Sequence, residues 1–203
     1  LAIGAAFDAQ NLGIGIFNRF SFSFWVEFIM VILILDFFIW LQHLLTHKIE
    51  FLWRIHRVHH SDTEMDISTA IRFHPIEIAL SMALKIGLVY ALGADPLSVL
   101  IFEILLNGSS IFNHANINIP NRVDKIVRFL IVTPDMHRIH HSSDRIEHDT
   151  NFGFALSIWD HMFQTYKSRP ARDHKEMEIG LNWQDEKPQE LGWSLGLPFK
   201  KNG

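Results

Sequence analysis

Clustered histidines punctuate this chain of 203 residues, and two apolar stretches separate the first clusters from the last. His43 and His47 form an HxxxH. His56, His59 and His60 form an HxxHH, and His137, His140 and His141 form a second one. His74 and His114 stand between these clusters. On a helix, offsets of three and four residues put side chains on one face, so each cluster can aim two or three imidazoles at one point. Imidazole is the commonest metal-ligating side chain, and it is neutral near physiological pH. Eight clustered imidazoles exceed what one ion usually takes, so the pattern predicts two ions.

The apolar stretches dictate how the clusters can meet. Phe22 to Leu45 is apolar except for Ser23, Glu27, Asp36, Gln42 and His43. About 20 apolar residues span a hydrocarbon core, so this segment is predicted to cross a membrane. Ile76 to Leu92 and Leu97 to Phe112 each reach the short end of the spanning range. Gly93 to Pro96 (GADP) reads as a tight turn between them. Two such spans form a hairpin and return the chain to the side it left. All the histidine clusters then share one side of the membrane. Lys48, Arg54, Arg57, Arg72, Arg122, Lys125, Arg128 and Arg138 lie on that side, and the hairpin tip carries only Asp95. The positive-inside rule places the histidine side in the cytoplasm.

The predicted fold class is therefore all-α: a membrane helical bundle of about three spans with a cytosolic, histidine-rich helical cap. Residues 1–168 form the membrane-embedded domain, and 169–203, charged and carrying Pro188 and Pro198, a cytosolic polar tail. Within the cap, Ile49 to Ser61 is expected to be helical. Asn121 to Val132, with apolar residues at 123, 126, 127 and 130, suits a helix at the interface. Thr133, Pro134 and Asp135 start the helix that carries the second HxxHH. Phe154 to Phe163 is expected to be a short amphipathic helix. The chain begins at Leu1, which reads as a fragment or processed product, and its start lacks the basic region of a signal peptide.

Composition narrows the chemistry. The chain is 48% hydrophobic and has no cysteine, which excludes disulfides, thiolate metal sites and iron–sulfur clusters. A net charge of −4 gives no reason to expect nucleic acid as a partner. Histidine suits zinc, copper, iron and nickel. A zinc peptidase needs the Glu of HExxH, and HLLTH, HRVHH and HRIHH lack it. The Glu and ExxH ligands of soluble di-iron bundles are missing too. Asp36 is a charge within a span, where ionisable groups are costly and usually functional. It shares a helical stripe with Trp40, His43 and His47, and reads either as a residue that orients a ligand histidine or as a polar group facing another helix. His74 reads either as a ligand or as a helix-start residue before Pro75. His148, His161 and His174 read as ordinary surface or hydrogen-bonded residues.

The series LDFFIWLQHLLTH, LWRIHRVHHSD, RFHPIE, NHANINIP, TPDMHRIHH and NFGFALSIWDHMFQTY, in that order, resembles the fatty acid hydroxylase/sterol desaturase superfamily of membrane di-iron oxygenases. The resemblance runs from about Leu35 to Tyr166 and is strongest to the small bacterial sterol-desaturase-like branch. It implies two iron ions, with zinc a possible substitute, held by His43, His47, His56, His59, His60, His137, His140 and His141. His114 matches the lone histidine between the boxes, and His74 matches the FHP of sterol-modifying members. Fatty acid 2-hydroxylases carry a further histidine pair where this chain has His114 followed by Asn118, so a water held by Asn118 would fill that position. The implied activity is dioxygen-dependent hydroxylation or desaturation of a membrane lipid such as a fatty acyl chain or sterol. No flavin or haem motif is present, so a separate electron donor, a b-type cytochrome or a ferredoxin, is expected. The expected location is a bacterial inner membrane with the metal site on its cytoplasmic face. The alternative is a histidine-rich zinc-binding or metal-transport protein. Transport would place ligands near the bilayer midplane.

Overall fold

The computed structural model describes residues 1–183 and 188–200. Helix α1 (Ala2–Leu12) and a single turn α2 (Ile16–Arg19) precede the long helix α3 (Phe24–Lys48), which breaks at an extended Ile49 before α4 (Glu50–His56). The hairpin follows as α5 (Pro75–Leu92) and α6 (Pro96–His114). Five short helices complete the described chain: α7 (Asn121–Val127), α8 (Pro134–His140), α9 (Arg145–His148), α10 (Ile158–Met162) and α11 (Leu191–Gly196). Among the described residues there are only isolated β-bridges, Ile131 with Leu156 and Ser142 with Ile179, and no named strand.

The three long helices α3, α5 and α6 are long and apolar enough to cross a membrane. Their outward side chains are apolar too: Trp25, Ile29, Ile78 and Ile104 are exposed. In water such surface would be a liability, whereas in lipid it is the solvated face. The interior of the bundle's far half is a compact apolar cluster that includes Val31, Leu35, Val89, Val99 and Phe102, closed by the small face of α1 at Ala2, Ala5 and Ala6.

The hairpin turn is built from local chemistry. Gly93 closes α5 with φ 66°, a left-handed conformation that favours glycine. Asp95 caps α6 by accepting from the backbone N–H groups of Leu97 and Ser98. Gly15, at φ 101°, lies so close to the turn that a Cβ built on it would sit 2.1 Å from the backbone nitrogen of Gly93. At the same end Glu27 accepts from the Asp95 N–H at 2.9 Å, which ties the start of α3 to the turn. The hairpin thus returns the chain, and His114 at the end of α6 reaches the level of His43 and His47 at the end of α3.

The segment expected as one helix from Ile49 to Ser61 breaks at Arg57 and resumes as a 3-10 turn over His59–Ser61. The break rotates His59 away from the face that carries His56 and His60. Helix α7 is shorter than expected, ending at Val127, but Ile126, Phe129 and Leu130 remain exposed, as an interfacial element requires. The Phe154–Phe163 segment is helical only over α10. Beyond Arg169 the described chain packs back: Leu181, Trp193 and Leu197 bury against Val58, Trp53 and Trp183. Arg57, itself buried, donates to the carbonyls of Leu197 and Lys200 at 2.7 and 2.8 Å.

Candidate metal centre

Nine buried histidines meet at one end of the bundle. His43, His47, His56, His60 and His140 place one ring nitrogen each within 4.8 Å of one another. His59, His114, His137 and His141 do the same in a second group. The groups adjoin, since the rings of His60 and His141 stack with centroids 4.5 Å apart. Each group draws on residues far apart in sequence, and only the hairpin makes the second one possible.

The hydrogen bonds at the rim fix which ring nitrogen faces inward. His43 Nδ1 donates to the Phe152 carbonyl at 2.7 Å, and His140 Nδ1 to the Thr150 carbonyl at 2.8 Å. His114 Nδ1 donates to Ser110 at 2.7 Å and His59 Nδ1 to Arg72 at 3.2 Å. His56 Nδ1 donates to the Glu77 carboxylate at 2.6 Å. These acceptors assign the proton to Nδ1 and leave Nε2 with an exposed lone pair. Yet His43 Nε2 and His56 Nε2 lie 3.1 Å apart, and His59 Nε2 and His114 Nε2 3.2 Å apart. Two lone pairs cannot bond to each other at that separation. A cation between them resolves the conflict, because two imidazoles ligating one ion at about 2.0–2.1 Å sit roughly 3.0–3.4 Å apart. Further buried ring nitrogens, His47 Nε2, His60 Nε2 and His140 Nε2, have no hydrogen-bond partner. The residues present therefore fit metal ions, one at each group.

Electrostatics agree. Burial, reinforced by neighbouring imidazoles, holds His60 and His141 well below the ordinary histidine value. The same holds for His59, His137 and His140. These rings are neutral and ready to ligate at physiological pH.

Not every residue singled out from sequence reaches the two groups. His74 is buried, but its Nδ1 accepts from the Ile76 N–H at 3.2 Å, so it serves as the N-cap of α5 ahead of Pro75. Asn118 is exposed in the connection between α6 and α7. Asp36 is buried and accepts from the Trp159 indole at 2.8 Å, which binds the Leu156–Trp159 stretch to α3. His148 lies beside His47 and Asp149 as a third, smaller group. Its ring stacks on Trp53 at 5.0 Å.

Two carboxylates that hold the site escape the sequence reading. Glu77, in the first turn of α5, anchors His56 directly. Asp160 acts through the backbone. It accepts from the N–H groups of Phe152 and Gly153 at 2.9 and 2.8 Å, from the Trp40 indole at 3.0 Å and from Thr165 Oγ1 at 2.6 Å. Those bonds fix the Phe152 carbonyl that receives His43. Burial pushes the Asp160 carboxyl above the ordinary carboxylate range, and the four donors pull it back. The only signal in the sequence was an acidic residue in an apolar context.

A cavity of about 350 Å³ opens between α3, α5 and α6. At the level of the histidines it is lined by His43, Phe73, Glu77 and Phe154, and farther along the bundle by Met82, Lys85, Glu103 and Leu106. Its volume lies in the range of small-molecule sites, and its walls come mostly from the three candidate spans.

Comparison with known proteins matches this architecture to a family. The family model described as fatty acid hydroxylase matches residues 28–165. An ornithine lipid hydroxylase from Rhizobium tropici is 30% identical over 154 residues, covering 75% of this chain and 45% of its own. Human cholesterol 25-hydroxylase is 29% identical over 155 residues, with 72% and 53% covered. Human alkylglycerol monooxygenase is 25% identical over 138 residues, with 66% and 29% covered. The chain thus spans about half or less of the length of these relatives. No solved structure matches it. With the match running from α3 through the last histidine cluster to Thr165, the chain belongs to the fatty acid hydroxylase family.

Proposed function

We propose that this chain hydroxylates a membrane lipid at a non-haem di-iron centre, using dioxygen and electrons from a separate donor protein. The observation that carries the reading is the cavity, which begins among the candidate spans and ends on His43. A hydrocarbon substrate can reach the histidines from the bilayer without crossing water.

His43, His47, His56, His60 and His140 would hold one iron, and His59, His114, His137 and His141 the other. The iron pair supplies the redox chemistry that activates dioxygen and oxidises an unactivated C–H bond. The chain's own residues bind, orient and shield. Glu77 and the Phe152, Thr150, Ser110 and Arg72 carbonyls keep the imidazoles in one tautomer and one orientation. Phe73 stacks on His59 with centroids 4.3 Å apart, and Phe154 stands 4.9 Å from His43, so two aromatic rings shield the ligands on the cavity side. The names of the relatives favour hydroxylation over desaturation. Both begin with hydrogen abstraction, and small differences in substrate placement decide between them. The basic residues at the histidine end support a cytoplasmic orientation for that end. A bacterial inner membrane accords with the relative from Rhizobium tropici.

The test is protein reconstituted with iron, a ferredoxin or b-type cytochrome, lipid extract and labelled dioxygen. Label in a lipid product supports hydroxylation, and a new double bond without label shows desaturation. A product formed equally well without dioxygen overturns the oxygenase reading.

A further inference from the structure

The cavity has an ion pair in its wall that the chemistry at the histidines does not use. Lys85 on α5 is buried and donates to Glu103 on α6, at 2.9 Å to Oε1 and 3.2 Å to Oε2. Asn107, one turn along α6, donates to the Glu103 carbonyl at 2.7 Å. Both charges lie well inside helices read as spans, where ionisable residues are costly and face interiors or functional cavities. A pair that only joined α5 to α6 would not need to stand in a cavity wall. Here Lys85 and Glu103 line the same cavity as His43. Ser81 stands between Glu77 and Lys85 on the same wall, so α5 offers a polar residue at every fourth position along it.

We propose that Lys85 and Glu103 form a subsite for an uncharged hydroxyl of the lipid substrate. This rests on the reading of the cavity as the substrate's channel. The pair is already neutral overall. An ionised headgroup would leave one charge uncompensated in a medium of low dielectric, where that is most costly. A hydroxyl adds no charge. It can accept an ammonium proton that Glu103 does not use and donate to a carboxylate oxygen. Without such partners, a hydroxyl this deep among apolar helices would be strongly disfavoured.

Helix geometry gives the length of the substrate. Glu77 touches His56, and Lys85 lies eight residues farther along α5, about 12 Å at 1.5 Å per residue. The substrate is then an amphiphile whose hydroxyl rests at the Lys85–Glu103 end of the cavity while its apolar end reaches the histidines. Its oxidised carbon lies roughly 12 Å from the hydroxyl, in the apolar part of the molecule. Fatty acids, bound as carboxylates, and lipids entering by a phosphate are excluded from this orientation.

The experiment is equilibrium binding to the iron-loaded full chain in nanodiscs, with no reductant present, so that turnover plays no part. Tritiated 1-hexadecanol is compared with hexadecane and palmitate, and cholesterol with cholestane, to separate linear from ring skeletons. At least one alcohol should bind about tenfold or more tighter than its parent hydrocarbon, as a hydrogen bond to a charged partner implies. Palmitate should bind more weakly than hexadecanol. The double variant Lys85→Met with Glu103→Leu, which leaves no unpaired charge, should bind alcohol and hydrocarbon alike. Equal binding of alcohols and hydrocarbons by the unmodified chain overturns the proposal, as does a preference for palmitate or a preference that survives in the double variant. Failure to detect an oxidised lipid in the labelled-dioxygen assay would count against the proposed reaction and leave this binding result unaffected.

Discussion

His56 and Glu77, 21 residues apart, are joined by a 2.6 Å hydrogen bond from Nδ1 to Oε1, and both are buried. The bond crosses from α4 to the first turn of α5 and reaches the first histidine group from outside. Glu77→Ala should lower metal affinity at that group by roughly 10–100-fold, the usual cost of losing a partner that orients a ligand. Glu77→Gln keeps an acceptor oxygen and should lose less. Chelator competition on purified protein measures both. If Glu77→Ala holds metal as tightly as the unmodified chain, the carboxylate is not a positioning group.

The two histidine groups should fail separately. His140→Ala removes a ligand from one and His59→Ala from the other. Each variant should retain about half the metal of the unmodified protein, and the double variant almost none. His174→Ala, outside both groups, should retain all of it. Metal stoichiometry by mass spectrometry reads the result. Loss of all metal from either single variant would mean that the groups form one cooperative site.

Much of this architecture was legible because it follows from local pattern. Apolar length gave α3, α5 and α6 to within a few residues, and Pro75, Pro96 and Gly93 marked where the helices of the hairpin start and stop. The even number of spans then brought His114 and the second HxxHH back to His43 and His47. What escaped depends on partners distant in the chain. Nothing near Asp160 shows that its carboxylate will accept from Trp40, 120 residues away. His74 is the exception, since its helix-start reading before Pro75 could be made from sequence and matches its place as the N-cap of α5. Asn118 sits in a loop whose course no periodicity describes. Leu181, Trp193 and Leu197 are too sparse in a charged segment to announce that they cover Trp53 and Val58.

Asp160→Asn tests the backbone relay. An amide would turn one acceptor into a donor facing Trp40, Thr165 or the Phe152 and Gly153 N–H groups. One or more buried donors would then be unpaired, at about 1–3 kcal/mol each. The thermal midpoint should fall by several degrees, and the first histidine group should bind metal more weakly because the Phe152 carbonyl is no longer fixed. A variant with unchanged midpoint and metal affinity would show that Phe152 is held by packing alone.

Gly15 and Gly93 test the other end of the bundle. Gly15→Ala would drive a Cβ into the backbone of the hairpin turn, at 2.1 Å from Gly93 N and 2.4 Å from its Cα. Backbone cannot yield as a flexible side chain can, so α1 and α2 must shift away from α5. The variant should be less stable, while metal stoichiometry, set at the opposite end of the helices, should be unchanged. A drop in metal content matching the loss of stability would show that the bundle has no independent ends.

The last prediction concerns acid. His59, His60, His137, His140 and His141 are held below the ordinary histidine value by burial and by one another. In the unfolded chain they titrate near pH 6.5. Between that value and the depressed folded one, the unfolded state binds more protons, so stability rises with pH across this window. The contribution of the neutral rings is complete above about pH 6.5 and is lost progressively as pH falls toward the folded values. Metal-stripped protein in detergent should therefore unfold at a lower temperature at pH 5 than at pH 7.5. Replacing His60 and His141 together by Gln should flatten that dependence, because two of the rings that must gain protons are gone. Bound metal competes with protons for the same nitrogens, so the loaded protein should release its ions as pH falls. A midpoint that does not change between the two pH values would contradict the burial of neutral imidazoles on which the candidate metal centre rests.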